Sequence, residues 1–391
     1  MRKIVCSTLL MVWMITGYSQ TSPVPVFVSG TEGHQTYRIP AILSLPNGDL
    51  LAFAEGRVHG ADDFGDINIV MKRSKDKGKT WTALQYVAEF DTLQAGNPAP
   101  VMDLTDALFP GGRIFLFYNT GTQREWDVRN GQGHKQVWYK TSTDGGQTWS
   151  EAVDITLQVH RPKKPEVNAA YNFSEDWRTY ANTPGHALQF REGKYRGRIF
   201  VAANHSAKKP KDRFEDYNAH CFYTDDHGKT FHLGASVAIP GSNESTAAAI
   251  SGDRLMMNSR NQQGEIRARI VSISGDGGAS WDTNYFDRNL PDPVNEGSLL
   301  QIGKRKNRFI LAFCNAADTA KRDNLTLRIS YDDGQTWAKN ILVDKNPLAS
   351  ASNQYAYTAY SDLVVLDKRT LGVLYERSNY VEIVFTAVKW E

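Results

Sequence analysis

A chain of 391 residues, 41% hydrophobic and 23% charged, has the balance of a folded globular protein and is long enough for one large β domain. Its 45 basic and 43 acidic residues leave a net charge of +2, which gives no case for a nucleic-acid footprint, since that needs a clustered basic surface. The three cysteines form no zinc-type Cys/His cluster.

At the N-terminus Arg2 and Lys3 precede an apolar run from Ile4 to about Ile15, and Gly17-Tyr-Ser19 then supplies small residues at the two positions a signal peptidase reads. Residues 1–19 are therefore predicted to be a secretory signal peptide cleaved after Ser19, with residues 20–391 forming one domain that is secreted or periplasmic. The run is shorter than the roughly 20 residues of a spanning helix, and no later segment is apolar enough to span, so no membrane span is expected. Cys221 and Cys314 each sit in a strand-like run and are expected to be buried small hydrophobes. Whether they pair is left open.

Short apolar β runs follow at 24–28, 41–45, 50–55, 114–118, 198–202, 254–258, 309–313, 363–366, 371–375 and 382–388, punctuated by Gly, Asn, Pro and Asp. Between them a pattern repeats five times. Its first copy is Ser74-Lys-Asp76-Lys-Gly78-Lys-Thr80-Trp81, and others begin at Ser142, Thr224, Ser274 and Ser330. The shared form is Ser/Thr-x-Asp-x-Gly-x-Thr/Ser-aromatic. The Asp carboxylate accepts from backbone N–H groups of its own turn, and the Gly supplies a backbone angle closed to other residues. A calcium loop would need further acidic ligands at alternate positions, where this chain has Gly, Lys, Gln and Thr, so a structural hairpin turn is the better reading. The third copy departs from the pattern with Thr224 and Phe231 in place of Ser and Trp. The copies are too far apart for a tight solenoid and suit one turn per multi-stranded unit. The predicted fold is an all-β, six-bladed β-propeller, with one blade lacking the turn and closed by pairing the first strand with the last. Residues 121–136 and 160–186 read as loops over a binding face, whose aromatics Trp126, Tyr171, Trp177 and Tyr180 either line it or pack within the loops.

Three arginines lie at strand ends or beside them: Arg38 in Tyr37-Arg-Ile-Pro40, Arg260 after the run ending at Asn258, and Arg322 before Leu325. Singly, each reads as a surface or ion-paired residue. Converging on one propeller axis, three guanidinium forks would grip an anionic ligand. Glu55-Gly-Arg57 and Asp62-Asp63 form a second group, with turn-capping as the plain role for Asp62. Glu244 in Gly241-Ser-Asn-Glu244-Ser reads otherwise as an exposed loop residue, and Tyr360 in Ala359-Tyr-Ser-Asp-Leu363 as a half-buried packing residue.

Taken in order, the Tyr-Arg-Ile-Pro motif, the five Asp boxes, the Asn-Glu-Ser motif before a later Arg, and Tyr-Ser-Asp-Leu make the chain resemble the exo-α-sialidases (neuraminidases) of the bacterial secreted type, from about residue 25 to the end. The resemblance implies a six-bladed propeller. It implies that Arg38, Arg260 and Arg322 bind the carboxylate of a sialic acid, that Asp63 is the general acid/base, and that Tyr360 is the nucleophile with Glu244 as its base. Arg57 would contact the sugar near its 4-hydroxyl, and Glu376 would orient Arg38. Arg328 is the alternative to Arg322, and Asp62 to Asp63. The implied activity is that of a glycoside hydrolase releasing terminal sialic acids from sialylated glycans, with no metal or organic cofactor required and a monomer expected. A non-catalytic sialic-acid-binding propeller and a trans-sialidase or anhydro-forming variant of the same site are the alternatives.

Overall fold

The computed structural model describes residues 19–347 and 356–391; all but the last residue of the expected leader lies outside the described residues. The short apolar runs become strands. In chain order these are β1 (Val24–Val28), β2 (Thr36–Ser44), β3 (Leu50–Arg57), β4 (Ile67–Ser74), β5 (Gln85–Ala88), β6 (Gln94–Asp103), β7 (Arg113–Gly121), β8 (Lys135–Ser142) and β9 (Val153–Asp154). They continue with β10 (Trp177–Asn182), β11 (Leu188–Gln189), β12 (Ile199–Ala207), β13 (Tyr217–Thr224), β14 (His232–Leu233), β15 (Ser242–Ile250), β16 (Arg254–Asn261), β17 (Ala268–Ser274) and β18 (Thr283–Pro291). The last are β19 (Gly297–Arg305), β20 (Arg308–Ala316), β21 (Leu325–Ser330), β22 (Lys339–Asp344), β23 (Thr358–Asp367), β24 (Thr370–Arg377) and β25 (Glu382–Lys389). Two short helices interrupt them, α1 (Glu125–Arg129) and α2 (Thr156–Val159).

The all-β propeller class holds, but the expectation of six separate blades is corrected. Hydrogen bonding divides the strands into five sheets. Four are separate blades: β1-β25-β24-β23, β10-β12-β13-β14 with β11 on β12, β15-β16-β17-β18, and β19-β20-β21-β22. The fifth is a single eight-stranded sheet, β2-β3-β4-β6-β7-β8-β9 with β5 on β4. A parallel bridge from Ile67 to Gln94 fuses it, supported by the Ile67 N–H donating to the Leu93 carbonyl at 3.2 Å. The turns beginning at Ser74 and Ser142 both belong to this one sheet, so the five turns fall in four sheets and do not mark one sheet each. As the sequence suggests, the first strand pairs with the last: β1 lies antiparallel to β25. Around the axis β2 packs on β6 and β23, β19 on β15 and β23, and β15 on β12.

The five turns share one hydrogen-bond pattern. In the first, the Ser74 hydroxyl donates to Asp76 Oδ1 at 2.8 Å and accepts from Gly78 N–H at 2.8 Å, while Thr80 donates its N–H to Oδ1 at 2.9 Å and its hydroxyl to Oδ2 at 2.6 Å. Donors of its own turn thus occupy the carboxylate, and the Thr80 bonds hold the Asp76 carboxyl down at about 2. Gly78 has φ +85°, and a Cβ there would lie 2.1 Å from the Phe385 ring, so both angle and space demand glycine. The third copy keeps the pattern despite its substitutions: Thr224 donates to Asp226 at 2.8 Å and accepts from Gly228 at 2.9 Å. The closing aromatics clamp sheets together. Trp81 meets Phe385 of the β1-β25 sheet edge-on at 5.6 Å, and Phe231 meets Phe117 of β7 at 5.9 Å. Fully buried rings such as Phe115, Phe117 and Phe222 fill the space between sheets, each contributing on the order of 1.5–3 kcal/mol.

Each turn follows the third strand of its four-strand unit and so lies at one face. The opposite face is formed by the starts of β2, β6, β8, β15 and β23 and the ends of β3, β7, β16 and β24.

Candidate active site

At the face away from the turns the inner strands are irregular. Register slips occur between Arg38 and Ala41 in β2, Gly96 and Ala99 in β6, Trp177 and Tyr180 in β10, Ser242 and Ser245 in β15, and Thr358 and Ser361 in β23. A bulge frees backbone groups from the ladder and re-aims side chains. Carboxylates from the strands alongside take the freed N–H groups. Glu376, fully buried on β24, accepts from Ile39 N–H at 2.9 Å and Tyr360 N–H at 3.1 Å, and also from Arg38 Nε at 2.6 Å and Nη2 at 3.3 Å. Ile39 is held at φ +58°, an unfavourable region for a β-branched residue, and the surrounding bonds keep it there. Glu55 repeats the device: it accepts from Asn97 N–H at 2.8 Å, with Asn97 at φ +56°, and from Arg57 Nε at 3.0 Å and Nη2 at 2.6 Å.

The re-aimed side chains meet. Tyr360, 5% exposed, donates its hydroxyl to Glu244 Oε1 at 2.5 Å. Arg260 Nη1 donates to the same phenol oxygen at 2.9 Å and to Glu244 Oε2 at 2.7 Å. The Arg38 and Arg322 guanidinium carbons lie 5.2 and 5.6 Å from the Tyr360 ring centre. Arg322 is steadied by the Tyr380 hydroxyl at 3.0 Å and the Val294 carbonyl at 3.2 Å. Arg38 comes from β2, Arg260 from β16 and Arg322 from the loop before β21, and the three surround one phenol. Burial pushes the Tyr360 hydroxyl well above the ordinary tyrosine range and the Glu244 charge adds to this, while Arg260, Arg322 and Arg38 pull it back.

Beside this group a cavity of about 310 Å³ is lined by Arg57, Asp63, Glu244, Arg260 and Tyr360 among others. The Asp63 side chain, 77% exposed at the mouth, accepts from Arg57 Nη1 at 2.7 Å and lies 3.9 Å from Arg38 Nη1. The protein packed around it would raise its carboxyl, but Arg57 and Arg38 outweigh this and hold it below the usual aspartate range. Of the alternatives, Asp62 turns outward to pair with Arg124 at 3.1 Å. Arg328 is buried in β21 against Asn315 Oδ1 at 2.8 Å. The structure thus brings together all eight residues singled out in the sequence: Arg38, Arg57, Asp63, Glu244, Arg260, Arg322, Tyr360 and Glu376.

Of the four insertion aromatics, Trp126 and Tyr180 line the cavity. Trp177 stacks on His205 at 3.5 Å inside the core, and Tyr171 is buried. The insertions are partly ordered: 121–136 contains α1 and 160–186 contains β10. Cys221 and Cys314 are buried and unpaired, matching the hydrophobe reading. A larger cavity of about 600 Å³ lies at the turn face, between Arg73 and Asp144, and holds none of the site groups. Sequence reasoning missed Asn97 and Lys135, both lining the site cavity, because nothing local distinguishes them from loop polars. It noted Glu55 only as the start of a cluster.

Among the described residues no helix is long and apolar enough to cross a membrane. Residues 48–371 match the family described as BNR repeat-like domain. The chain is 32% identical over 385 residues to a sialidase of Micromonospora viridifaciens, covering 93% of this chain and 53% of that protein. It is 27% identical to a sialidase of Bacteroides fragilis (strain YCH46), covering 95% of this chain and 65% of the other. Among solved structures, the Hadza microbial sialidase Hz136 superposes with a TM-score of 0.77 at 26% identity, covering 94% of this chain and 68% of that one. The chain therefore spans about half to two thirds of the length of the first two relatives. With the repeat-like domain matched over most of its length, the chain belongs to the BNR repeat-like domain family, and it is similar to sialidases across nearly all of its residues.

Proposed function

We propose that the protein is an exo-α-sialidase that hydrolyses terminal sialic acids from glycoproteins, glycolipids and oligosaccharides with retention of configuration. The observation that carries this reading is the 2.5 Å contact of the Tyr360 hydroxyl with Glu244 inside a ring of three guanidinium groups. A sialoside bears its carboxylate on the reacting carbon, C2. A carboxylate nucleophile about 4 Å away would meet repulsion of roughly 4 kcal/mol at an effective dielectric of 20. A neutral phenol avoids it, and tyrosine is a known exception to the two-carboxylate rule of glycosidases.

In the first step the substrate carboxylate sits on Arg38, Arg260 and Arg322. The Tyr360 oxygen attacks C2, and its proton passes to Glu244 Oε1. Asp63 protonates the glycosidic oxygen as the C2–O bond breaks, leaving a sialyl–tyrosine intermediate. In the second step Asp63, now ionised, takes a proton from water as the water attacks C2, and Glu244 returns its proton to the departing phenolate. The raised affinity of the free phenol for its proton explains why an ionised base must touch it. The low proton affinity of Asp63 in the free protein follows from Arg57 and Arg38. A bound carboxylate offsets the Arg38 charge, so substrate binding itself moves Asp63 towards the protonated form that the first step uses.

The clamp is tested with Arg260→Ala and a non-hydrolysable sialic-acid analogue. Charge-assisted hydrogen bonds contribute about 1.5–3 kcal/mol, so affinity for the free acid is expected to fall about 10- to 150-fold by calorimetry, and affinity for its methyl ester to change little. An equal loss for both ligands rejects the clamp. We also propose export by the N-terminal leader. The intact mass of the exported protein is expected to correspond to a chain starting at Gln20, and retention of the first 19 residues would refute it.

A further inference from the structure

The cavity has a second wall, supplied by the eight-stranded sheet, and it holds a lysine ammonium with no ion-pair partner among the described residues. Lys135 is the first residue of β8, 7% exposed, and lines the cavity. Its Nζ donates to Gln94 Oε1, and Gln94 Nε2 in turn donates to the Asp63 carbonyl at 3.0 Å. An ammonium carries three protons, so two remain beyond the bond to Gln94. Burial lowers the proton affinity of this ammonium, and Glu125, Glu55 and Asp63 restore part of it only through longer-range attraction. A buried cation without an ion partner is costly to keep, and here its unused protons face a cavity. Its β-sheet partner is Gly121, and a Cβ there would lie 2.5 Å from Nζ, so the glycine keeps the space the ammonium occupies.

We infer that Lys135 is a specificity-determining residue of this cavity, donating its free protons to oxygen acceptors that the sugar carries beyond its ring carbon C4. The inference rests on the sialidase reading above. With the carboxylate on the arginine ring and C2 over Tyr360, the rest of the sugar extends into the cavity, where Gln94, Asn97, Asn119 and Lys135 form a polar wall. A sialic acid has two such acceptors: the acyl carbonyl on the C5 nitrogen and the hydroxyls of the C7–C9 arm. Both are neutral oxygens suited to a donor-only cation.

The test uses three fluorogenic sialosides: the parent with a 5-acetamido group and full arm, a 5-hydroxy analogue, and an analogue whose arm is shortened to C7 by periodate and borohydride. Wild type is expected to lose about 10- to 100-fold in kcat/KM on the analogue lacking the acceptor that Lys135 reads. In Lys135→Met the parent is expected to fall by the same factor while that analogue falls no further, so the preference disappears. The analogue showing this coupling tells the acyl carbonyl from the arm. Should Lys135→Met fail to fold, Gly121→Ala, which displaces the ammonium without removing it, is expected to erase the same preference. A uniform loss on all three substrates, or a preference that survives in the folded variant, overturns the inference. A wild type that turns over all three equally does so too. No turnover of any of them by wild type overturns the sialidase reading and this inference with it.

Discussion

Tyr360→Phe is expected to lower sialoside turnover by at least about 10³-fold while a non-hydrolysable sialic-acid analogue still binds. The substitution removes one oxygen and leaves the ring that packs beneath Arg38, at 5.2 Å, and Arg322, at 5.6 Å. It deletes the hydroxyl that Glu244 and Arg260 hold at 2.5 and 2.9 Å, but those two remain paired with each other at 2.7 Å, so no buried charge is stranded. The carboxylate clamp therefore survives, and the loss falls on kcat. Steady-state kinetics combined with analogue affinity separates the outcomes. Turnover near wild type would remove Tyr360 from the chemistry, and parallel loss of turnover and binding would assign it to positioning alone.

Glu376→Ala is expected to destabilise the fold by about 3–5 kcal/mol, because removing one partner of a buried ion pair leaves an uncompensated buried charge. Arg38, 7% exposed, would be that charge. The same substitution orphans the N–H groups of Ile39 and Tyr360, which the bulges in β2 and β23 have already withdrawn from the sheet ladder. Glu376→Gln keeps the volume and one acceptor oxygen, so it should cost less while weakening the hold on Arg38. Urea unfolding of both variants measures this. A cost for Glu376→Ala below about 1 kcal/mol, typical of a single neutral hydrogen bond, would show that the bulges hold without it. Activity should fall with stability in both variants, since Arg38 and Tyr360 hang from the same carboxylate.

The five turns were legible because their chemistry is local. Asp, Gly and the hydroxyl residue satisfy one another within eight residues, and the bonds at Asp76 recur at Asp332 whatever sheet the turn joins. The all-β class was legible because strand cores need apolar residues that tertiary context cannot replace. Several apolar runs, however, marked only part of their strand. The run at 254–258 is the first part of β16, which continues to Asn261 and carries Arg260; the run at 371–375 stops one residue short of Glu376; and the run at 363–366 leaves out the bulged start of β23 with Tyr360. The strand ends that build the site are polar because they face a polar cavity, and polar residues at a strand end look like loop.

Motif order pointed to the eight residues that meet, but local patterns could not show how they are held. The fusion of two strand sets through Ile67 and Gln94 is a single long-range bridge with no local signature, and it made the sheet count unreadable. The bulges, the carboxylates of Glu55 and Glu376 and the buried ammonium of Lys135 take their places only once distant strands are brought together, within the eight-stranded sheet for Glu55 and Lys135 and between sheets for Glu376. Short-range turn chemistry and hydrophobic patterning are properties of neighbouring residues, and those the sequence determined by itself. The placing of charge against charge across sheets depends on distances between segments hundreds of residues apart, and that the tertiary structure alone decided.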